Sequence, residues 1–392
     1  MPASSRVQRR CVLYVSGFDP RGASHYHALY RDESARQTVV NGLAVEVGPR
    51  RRDADGNPQW PLVAQDGDQA VSTDYVFLRW DDVVRRHWPR SDARVWVEVA
   101  RTSWHYLQCG ALARGRQLAK GPIVVLAAFF AQLFLLLAGL PLGALAVFAG
   151  LRLGGVDWPV ASAGAAAFGV ALLMLIHTVE KRMNMRWLAR GYVFPWRQER
   201  GAAPELDARL DAHARTLIRR VRSGDYDEVL VVGHSLGCML ACSIVARALA
   251  VEPSLATGRT VLSLLTLGQW IPLQGLLPEA QRFRGELACL GTAAGLHWVD
   301  ASAPPDGCCF PLCDPLAAVG LAPAGRQPGR PVLISPRFVR MFGADAYARL
   351  RRDKFRLHFQ YLMASDLLTD YDYFRITAGS RTLAHLFPAN TP

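Results

Sequence analysis

The chain has 392 residues, enough for one large α/β domain or two ordinary ones. It is 51% hydrophobic and 20% charged, and because the apolar excess lies in residues 122–180 it points to a membrane rather than to a larger soluble core. The formal net charge of +12, mostly from arginine, favours an anionic membrane surface over nucleic acid, since no nucleic-acid recognition motif accompanies the basic residues.

The first 120 residues predict alternating strands and helices. The apolar run CVLYVS ends at a glycine turn, GFDPRG, as expected of a first strand followed by a tight loop. The predicted elements are a strand at 11–16, a helix over Ser24–Thr38, a strand at 43–47, a polar loop at 50–70, a strand at 74–80 and a helix from Asp92 to Gln117.

Two apolar segments follow, at about 121–150 and 159–180. The first carries no charge and is long enough to cross about 30 Å of hydrocarbon. The second is rich in Ala and Gly, which suits a helix packed closely on a neighbour. The alternative interpretation is a pair of buried helices in a soluble core. We expect a two-helix transmembrane hairpin.

Basic residues flank the hairpin on its outer sides, whereas the linker between the two segments offers only Arg152. By the positive-inside rule, both ends of the hairpin are expected in the cytoplasm. The flanking basic residues are Arg114, Arg116 and Lys120 before the pair, and Lys181, Arg182, Arg186 and Arg190 after it.

The chain after residue 200 again alternates helices with apolar strands, which predicts a parallel α/β sheet. We expect a helix at 204–224, the strand EVLVVG, a helix from Leu236 to about Ala250, and strands at 260–268 and 295–302. Residues 270–295 and 303–340 carry many Pro and Gly and are predicted to be irregular, as a lid or substrate cover.

The stretch YDEVLVVGHSLGCMLA, residues 226–241, places Ser235 between a strand and a helix. Gly233 and Gly237 leave room where Cβ atoms would collide around a sharp turn. On these residues the chain resembles the α/β-hydrolase superfamily in its lipase-like GHSLG form. The resemblance, carried by residues 226–245, implies an α/β-hydrolase-like, mainly parallel sheet flanked by helices, with Ser235 as nucleophile.

The superfamily order of nucleophile, acid and histidine then selects candidates further along the chain. Asp306, in the loop after a late strand, is the favoured acid, with Asp300 as the alternative and Asp314 behind both. His358 is favoured over His385 as the base. Oxyanion donors are expected at the backbone N–H of Leu236 and at that of Phe18, in the glycine turn after the first strand. His234, beside the nucleophile, is predicted to be structural.

The eight cysteines show no regular framework, which predicts reduced thiols. The cluster CCFPLC at 308–313 lacks paired C-x2-C spacing, so no metal site and no cofactor are expected.

The sequence thus predicts three parts. These are residues 1–120 and 181–392, which together form one α/β-hydrolase domain, and the hairpin at 121–180. An even number of spans keeps the oxyanion loop and Ser235 on one side of the bilayer.

The expected function is a membrane-anchored serine hydrolase of carboxylic, lipid-like esters. Its predicted location is the inner membrane, with both termini and the catalytic domain cytoplasmic. The alternatives are an inactive hydrolase-like scaffold and an acyltransferase. The expected partners are the lipid bilayer and an ester substrate, without nucleic acid, and the oligomeric state is left open.

Overall fold

The computed structural model describes residues 6–321 and 329–389. In this part of the chain nine strands form one mixed sheet. The strands are β1 (Arg9–Val15), β2 (Ala44–Val47), β3 (Arg51–Arg52), β4 (Pro58–Asp66), β5 (Gln69–Phe77), β6 (Glu228–His234), β7 (Val261–Leu267), β8 (His297–Ala301) and β9 (Val332–Ile334).

The helices cover both faces of the sheet and also form the apolar hairpin. They are α1 (Ala23–Asn41), α2 (Asp81–His87), α3 (Asp92–Gln108), α4 (Ala111–Leu118), α5 (Lys120–Phe134), α6 (Leu140–Leu153), α7 (Trp158–Met183), α8 (Met185–Glu199), α9 (Pro204–Arg222), α10 (Gly237–Val251), α11 (Ile271–Gly275), α12 (Gln281–Thr292), α13 (Pro315–Ala318), α14 (Phe338–Met341), α15 (Ala344–Arg352), α16 (Lys354–Phe359), α17 (Tyr373–Ala378) and α18 (Leu383–Leu386). A π-helical segment, Leu135–Gly139, joins α5 to α6, and short 3₁₀ turns lie at Pro253–Thr257 and Gln360–Leu362.

The strand order is β2-β4-β5-β1-β6-β7-β8-β9, with β3 paired to β4. From β5 to β9 every neighbouring pair is parallel, whereas β2, β3 and β4 add an antiparallel edge. The predicted α/β class with a mainly parallel sheet flanked by helices is therefore confirmed.

The central strands are buried on both faces, as their near-continuous apolar sequences require. One core cluster contains Leu13 of β1 and Val231 of β6 and is covered by α3, α8, α9, α10 and α12. The other contains Val12 and Tyr14 and is covered by α1 and the C-terminal helices. Because the strands are parallel, the loops after β1, β6, β7 and β8 leave the sheet at the same edge.

Most of the hairpin lies outside the core, which argues against the alternative of two helices buried in a soluble domain. The continuous helix Lys120–Leu153 and the helix Trp158–Met183 are each only 11% buried over their most apolar window. At 1.5 Å per residue they are roughly 50 Å and 40 Å long, sufficient for about 30 Å of hydrocarbon. A Cβ on Gly143 would lie 2.4 Å from Phe168, so small residues allow the two helices to approach closely.

The base of the hairpin is fixed to the globular body. Phe129 of α5 is buried, and its ring centroid lies 3.9 Å from that of Trp96 in α3. Arg186, after α7, pairs with Glu180 and with Asp92 of α3, at 3.0 and 2.7 Å. Part of the basic flank therefore serves as an attachment to the body.

Three predictions about local structure were wrong. The stretch 50–70 is not a loop: it contains β3 and β4, where alternation buries Trp60 and Leu62 and exposes Val63 despite the prolines. The predicted helix from Asp92 to Gln117 breaks into α3 and α4 because Gly110 adopts a left-handed conformation. The stretch 270–295 is largely helical, forming α11 and α12. Residues 303–340 contain two short helices and β9, but residues 322–328 lie outside the described residues.

Candidate functional site

Ser235 occupies the first residue after β6, at the edge of the sheet where the parallel strands end. Its φ of 58° lies in the left-handed region, which is uncommon for a residue with a side chain. Its backbone N–H donates to the carbonyl of Leu267 at the end of β7, at 2.9 Å. The predicted strand–turn–helix setting is thus present, and the turn leaves Ser235 partly exposed between buried neighbours.

Two glycines allow this turn to pack against the end of β1. A Cβ on Gly237 would lie 2.3 Å from the carbonyl oxygen of Val15, which no side chain can tolerate. A Cβ on Gly17 would lie 3.0 Å from the Cβ of Ser235. The loop after β1 and the turn after β6 are therefore in direct contact.

His358 and Asp306 form a buried pair. Nδ1 of His358 lies 2.8 Å from Oδ2 of Asp306, and both side chains are almost inaccessible to solvent. Burial alone would raise the pKa of Asp306, but the charge of His358 and hydrogen bonds from His358, the Cys308 N–H and Tyr361 lower it. The carboxylate therefore stays ionised and orients the imidazole.

The far nitrogen of His358 is left open. Its Nε2 is buried and has no hydrogen-bond partner among the described residues. His358 and Ser235 line the same pocket, without a hydrogen bond between them. In enzymes without bound substrate, the contact between a base and a nucleophile is often long and tightens only when substrate binds.

The other candidate acids and the other candidate histidine lie elsewhere. Asp300, in β8, accepts hydrogen bonds from Thr266 and Ser302, both at 2.8 Å, and burial raises its pKa to about 7. Asp314 caps α13 and pairs with Arg330. His385 lies exposed in α18, on a different cavity. The structure brings Ser235, His358 and Asp306 together and leaves Asp300, Asp314 and His385 out.

Two further residues hold this arrangement: His234, which was predicted to be structural, and Tyr361, which the sequence did not single out. His234 is buried, and its Nε2 lies 2.9 Å from the backbone carbonyl of His358. Burial and the neighbouring His358 lower the pKa of His234 to about 3, so it is neutral and can donate there. Tyr361 donates to Asp306 Oδ2 at 3.1 Å and accepts from the N–H of Ala303. Its only sequence signal was its position three residues after His358.

The two residues whose backbone amides are expected as donors both line this site. Phe18 and Leu236 line the pocket of Ser235, and neither N–H donates to an acceptor among the described residues. The loop is held by the Asp19 N–H, which donates to Gly17 at 2.7 Å, and by the Trp80 indole, which donates to the Ser16 carbonyl at 2.9 Å. Two unpaired donors beside a partly exposed hydroxyl are suited to binding a carbonyl oxygen.

The pocket has about 390 Å³ of space between atoms, part of it open to solvent. Its walls include Trp187 of α8, Trp270 before α11, and Phe355 of α16. Arg21 forms hydrogen bonds with the buried Asp19 and stacks over Trp187. The pocket is thus aromatic around its rim and lies next to the residues that follow α7.

Asp306, Cys308 and His358 also form the cluster whose donor atoms lie within 4.8 Å of one another. Burial raises the pKa of the Cys308 thiol far above its ordinary value, so the sulfur is protonated. Nδ1 of His358 is already hydrogen-bonded to Asp306. This geometry fits an acid–histidine pair. All eight cysteines, which lie within the described residues, are free thiols.

Comparison of the chain with protein-family models, with curated proteins and with solved structures returned no match. The chemistry of the site therefore has to be inferred from its own geometry.

Proposed function

We propose that this protein is a membrane-anchored serine hydrolase of the α/β-hydrolase type, which cleaves carboxylic esters with lipid-like acyl chains. The observation that carries the proposal is the pocket shared by Ser235 and His358, in which Nε2 is unpaired while Asp306 holds Nδ1.

Each group has a chemical task. The Ser235 hydroxyl attacks the ester carbonyl as His358 Nε2 takes its proton, because a serine hydroxyl is a weak nucleophile until a base acts on it. The negative oxygen that forms is stabilised by the N–H groups of Phe18 and Leu236. His358 then returns the proton to the leaving alcohol, and Asp306 stabilises the imidazolium. Water releases the acyl group from Ser235 by the same steps.

The hairpin supports a membrane location for this reaction. Large apolar side chains such as Leu137, Leu142 and Met174 are more than 60% exposed. So wide an apolar surface is costly in water and is accommodated in a bilayer. Basic residues on both outer flanks favour a cytoplasmic globular domain. An enzyme at that surface meets membrane esters at high local concentration.

The proposal is tested with the full chain in detergent or vesicles, by labelling with a fluorophosphonate and by hydrolysis of p-nitrophenyl esters. Ser235→Ala is expected to abolish labelling and to lower kcat at least 10³-fold. Asp306→Asn is expected to lower kcat about 10⁴-fold, because the imidazole loses its orienting carboxylate.

Ser254→Ala is the matched control, since Ser254 lies exposed in a 3₁₀ turn away from the pocket. Wild-type protein that neither binds the fluorophosphonate nor turns over any ester would support the scaffold alternative. Transfer of the acyl group to an added alcohol in preference to water would identify an acyltransferase.

A further inference from the structure

A second cavity lies between the base of the hairpin and the globular body. It is lined by α5 residues including Ile123, Leu126 and Phe129, and by Leu112 and Gly115 of α4. It contains about 740 Å³ of space between atoms, part of it open to solvent. The space is narrow: a water-sized sphere can place its centre in only about 60 Å³ of it.

The lining is almost wholly apolar. The hydroxyl of Tyr106 donates to the carbonyl of Leu273 at 2.8 Å, and that of Tyr192 bonds with Ser103. These two hydroxyls are therefore already paired within the protein, whereas the buried indole nitrogen of Trp270 has no partner among the described residues. A narrow space with so few polar atoms suits a flexible hydrocarbon chain.

The cavity adjoins the pocket of Ser235. Leu188 and Trp270 line both spaces, so they form the wall between them. Gly307, next to Asp306, also lines the cavity. A chain attached to an ester carbonyl at Ser235 would have to pass these two side chains to enter it.

The cavity also adjoins the expected bilayer. Helix α5 supplies part of its wall and continues directly into the apolar surface at Phe134 and Leu137, which are 66% and 71% exposed. A lipid chain beside this helix would therefore reach the cavity along an apolar surface.

We infer that this cavity is the acyl-binding site, which receives the acyl chain of a membrane ester from the bilayer while its carbonyl lies at Ser235. This inference rests on the proposed function. If it is correct, each methylene that enters the cavity raises kcat/KM by up to about fourfold.

Gly115 provides the test, because a Cβ there meets nothing within 4 Å although the residue is buried on the cavity wall. Gly115→Leu should fill the cavity without a clash. Gly285→Leu is the matched control: it lies in helix α12, is exposed, and its Cβ also meets nothing within 4 Å. The measured quantity is the ratio of kcat/KM for p-nitrophenyl octanoate to that for the acetate.

We expect Gly115→Leu to lower this ratio at least tenfold and Gly285→Leu to leave it unchanged. A ratio that stays unchanged in Gly115→Leu, even if kcat/KM falls equally for both esters, would overturn the inference.

A second measurement separates this inference from the hydrolase proposal. Ser235→Ala protein is irradiated in vesicles containing a diazirine-tagged fatty acid. Cross-links on α5 or α4 that disappear with Gly115→Leu would support the cavity as an acyl site even if no ester were hydrolysed. Cross-links confined to the lipid-facing surface of the hairpin, or cavity cross-links that persist in Gly115→Leu, would contradict it whatever the activity.

Discussion

At the scale of single residues, two buried aspartates six positions apart have opposite properties. Asp306 faces an imidazole and its pKa is lowered, whereas Asp300 faces hydroxyls of Thr266 and Ser302 and its pKa is raised to about 7 by burial. The sequence favoured Asp306 because it follows its strand instead of lying in it. Nothing in the sequence gave the direction of either shift, because both depend on which side chains the fold brings beside the carboxyl.

This contrast predicts how stability depends on pH. Asp300 binds its proton more tightly when folded than when unfolded, so its contribution to stability falls as pH rises from about 4 to 7 and is constant above. Asp300→Asn removes this loss, which is on the order of 4 kcal/mol at most. We expect the Tm of the variant, relative to wild type, to be higher at pH 8 than at pH 5, with ester turnover retained.

A variant that changes the Tm equally at both pH values would show that Asp300 is ionised throughout this range. A loss of turnover as large as that expected for Asp306→Asn would instead make Asp300 part of the catalytic machinery.

At the scale of elements, the site depends on the contact between the end of β1 and the start of α10. Glycines in GHSLG predicted a tight turn, and the structure shows what the turn must avoid: the backbone carbonyl of Val15, 2.3 Å from a Cβ on Gly237. That neighbour is more than 200 residues away in the chain, so local sequence predicts the turn but not its partner. The same applies to His234, whose partner is the carbonyl of His358.

Gly237→Ala is therefore expected to destabilise the protein by about 3 kcal/mol or more, because backbone cannot move aside as a flexible side chain can. Thermal unfolding measures the effect. Gly258→Ala is the control, since Gly258 has a φ of −78° and a Cβ there meets nothing within 4 Å. Equal Tm values for the two variants would contradict the close contact between Gly237 and the Val15 carbonyl.

At the scale of the whole molecule, the hairpin interrupts a single sheet. Strand β1 lies before it and β6 after it, yet the two pair in register. Both must therefore lie on the same side of any membrane that the hairpin crosses, and two spans satisfy this condition.

This topology predicts the accessibility of introduced cysteines. In a background where the partly exposed Cys109, Cys289 and Cys313 are serine, Asp157→Cys tests the turn between the spans and Ala202→Cys tests the globular body. An impermeant maleimide should label Asp157→Cys only from outside intact cells, and Ala202→Cys only in inside-out vesicles. Labelling of both from one side would contradict a spanning hairpin.

From the sequence alone came the α/β class, most strands and helices, the two long apolar helices, and Ser235 and His358 as candidates for one site. The elements follow from periodicity and hydrophobic length, which are local signals, whereas the candidate residues follow from the resemblance and the residue order that it implies. Only the tertiary structure decided that Asp306 and not Asp300 lies beside His358, that 50–70 adds an antiparallel edge, and that α5 lines an apolar cavity. Each of these depends on contacts between residues far apart in the chain, and such contacts leave no periodic trace in the sequence.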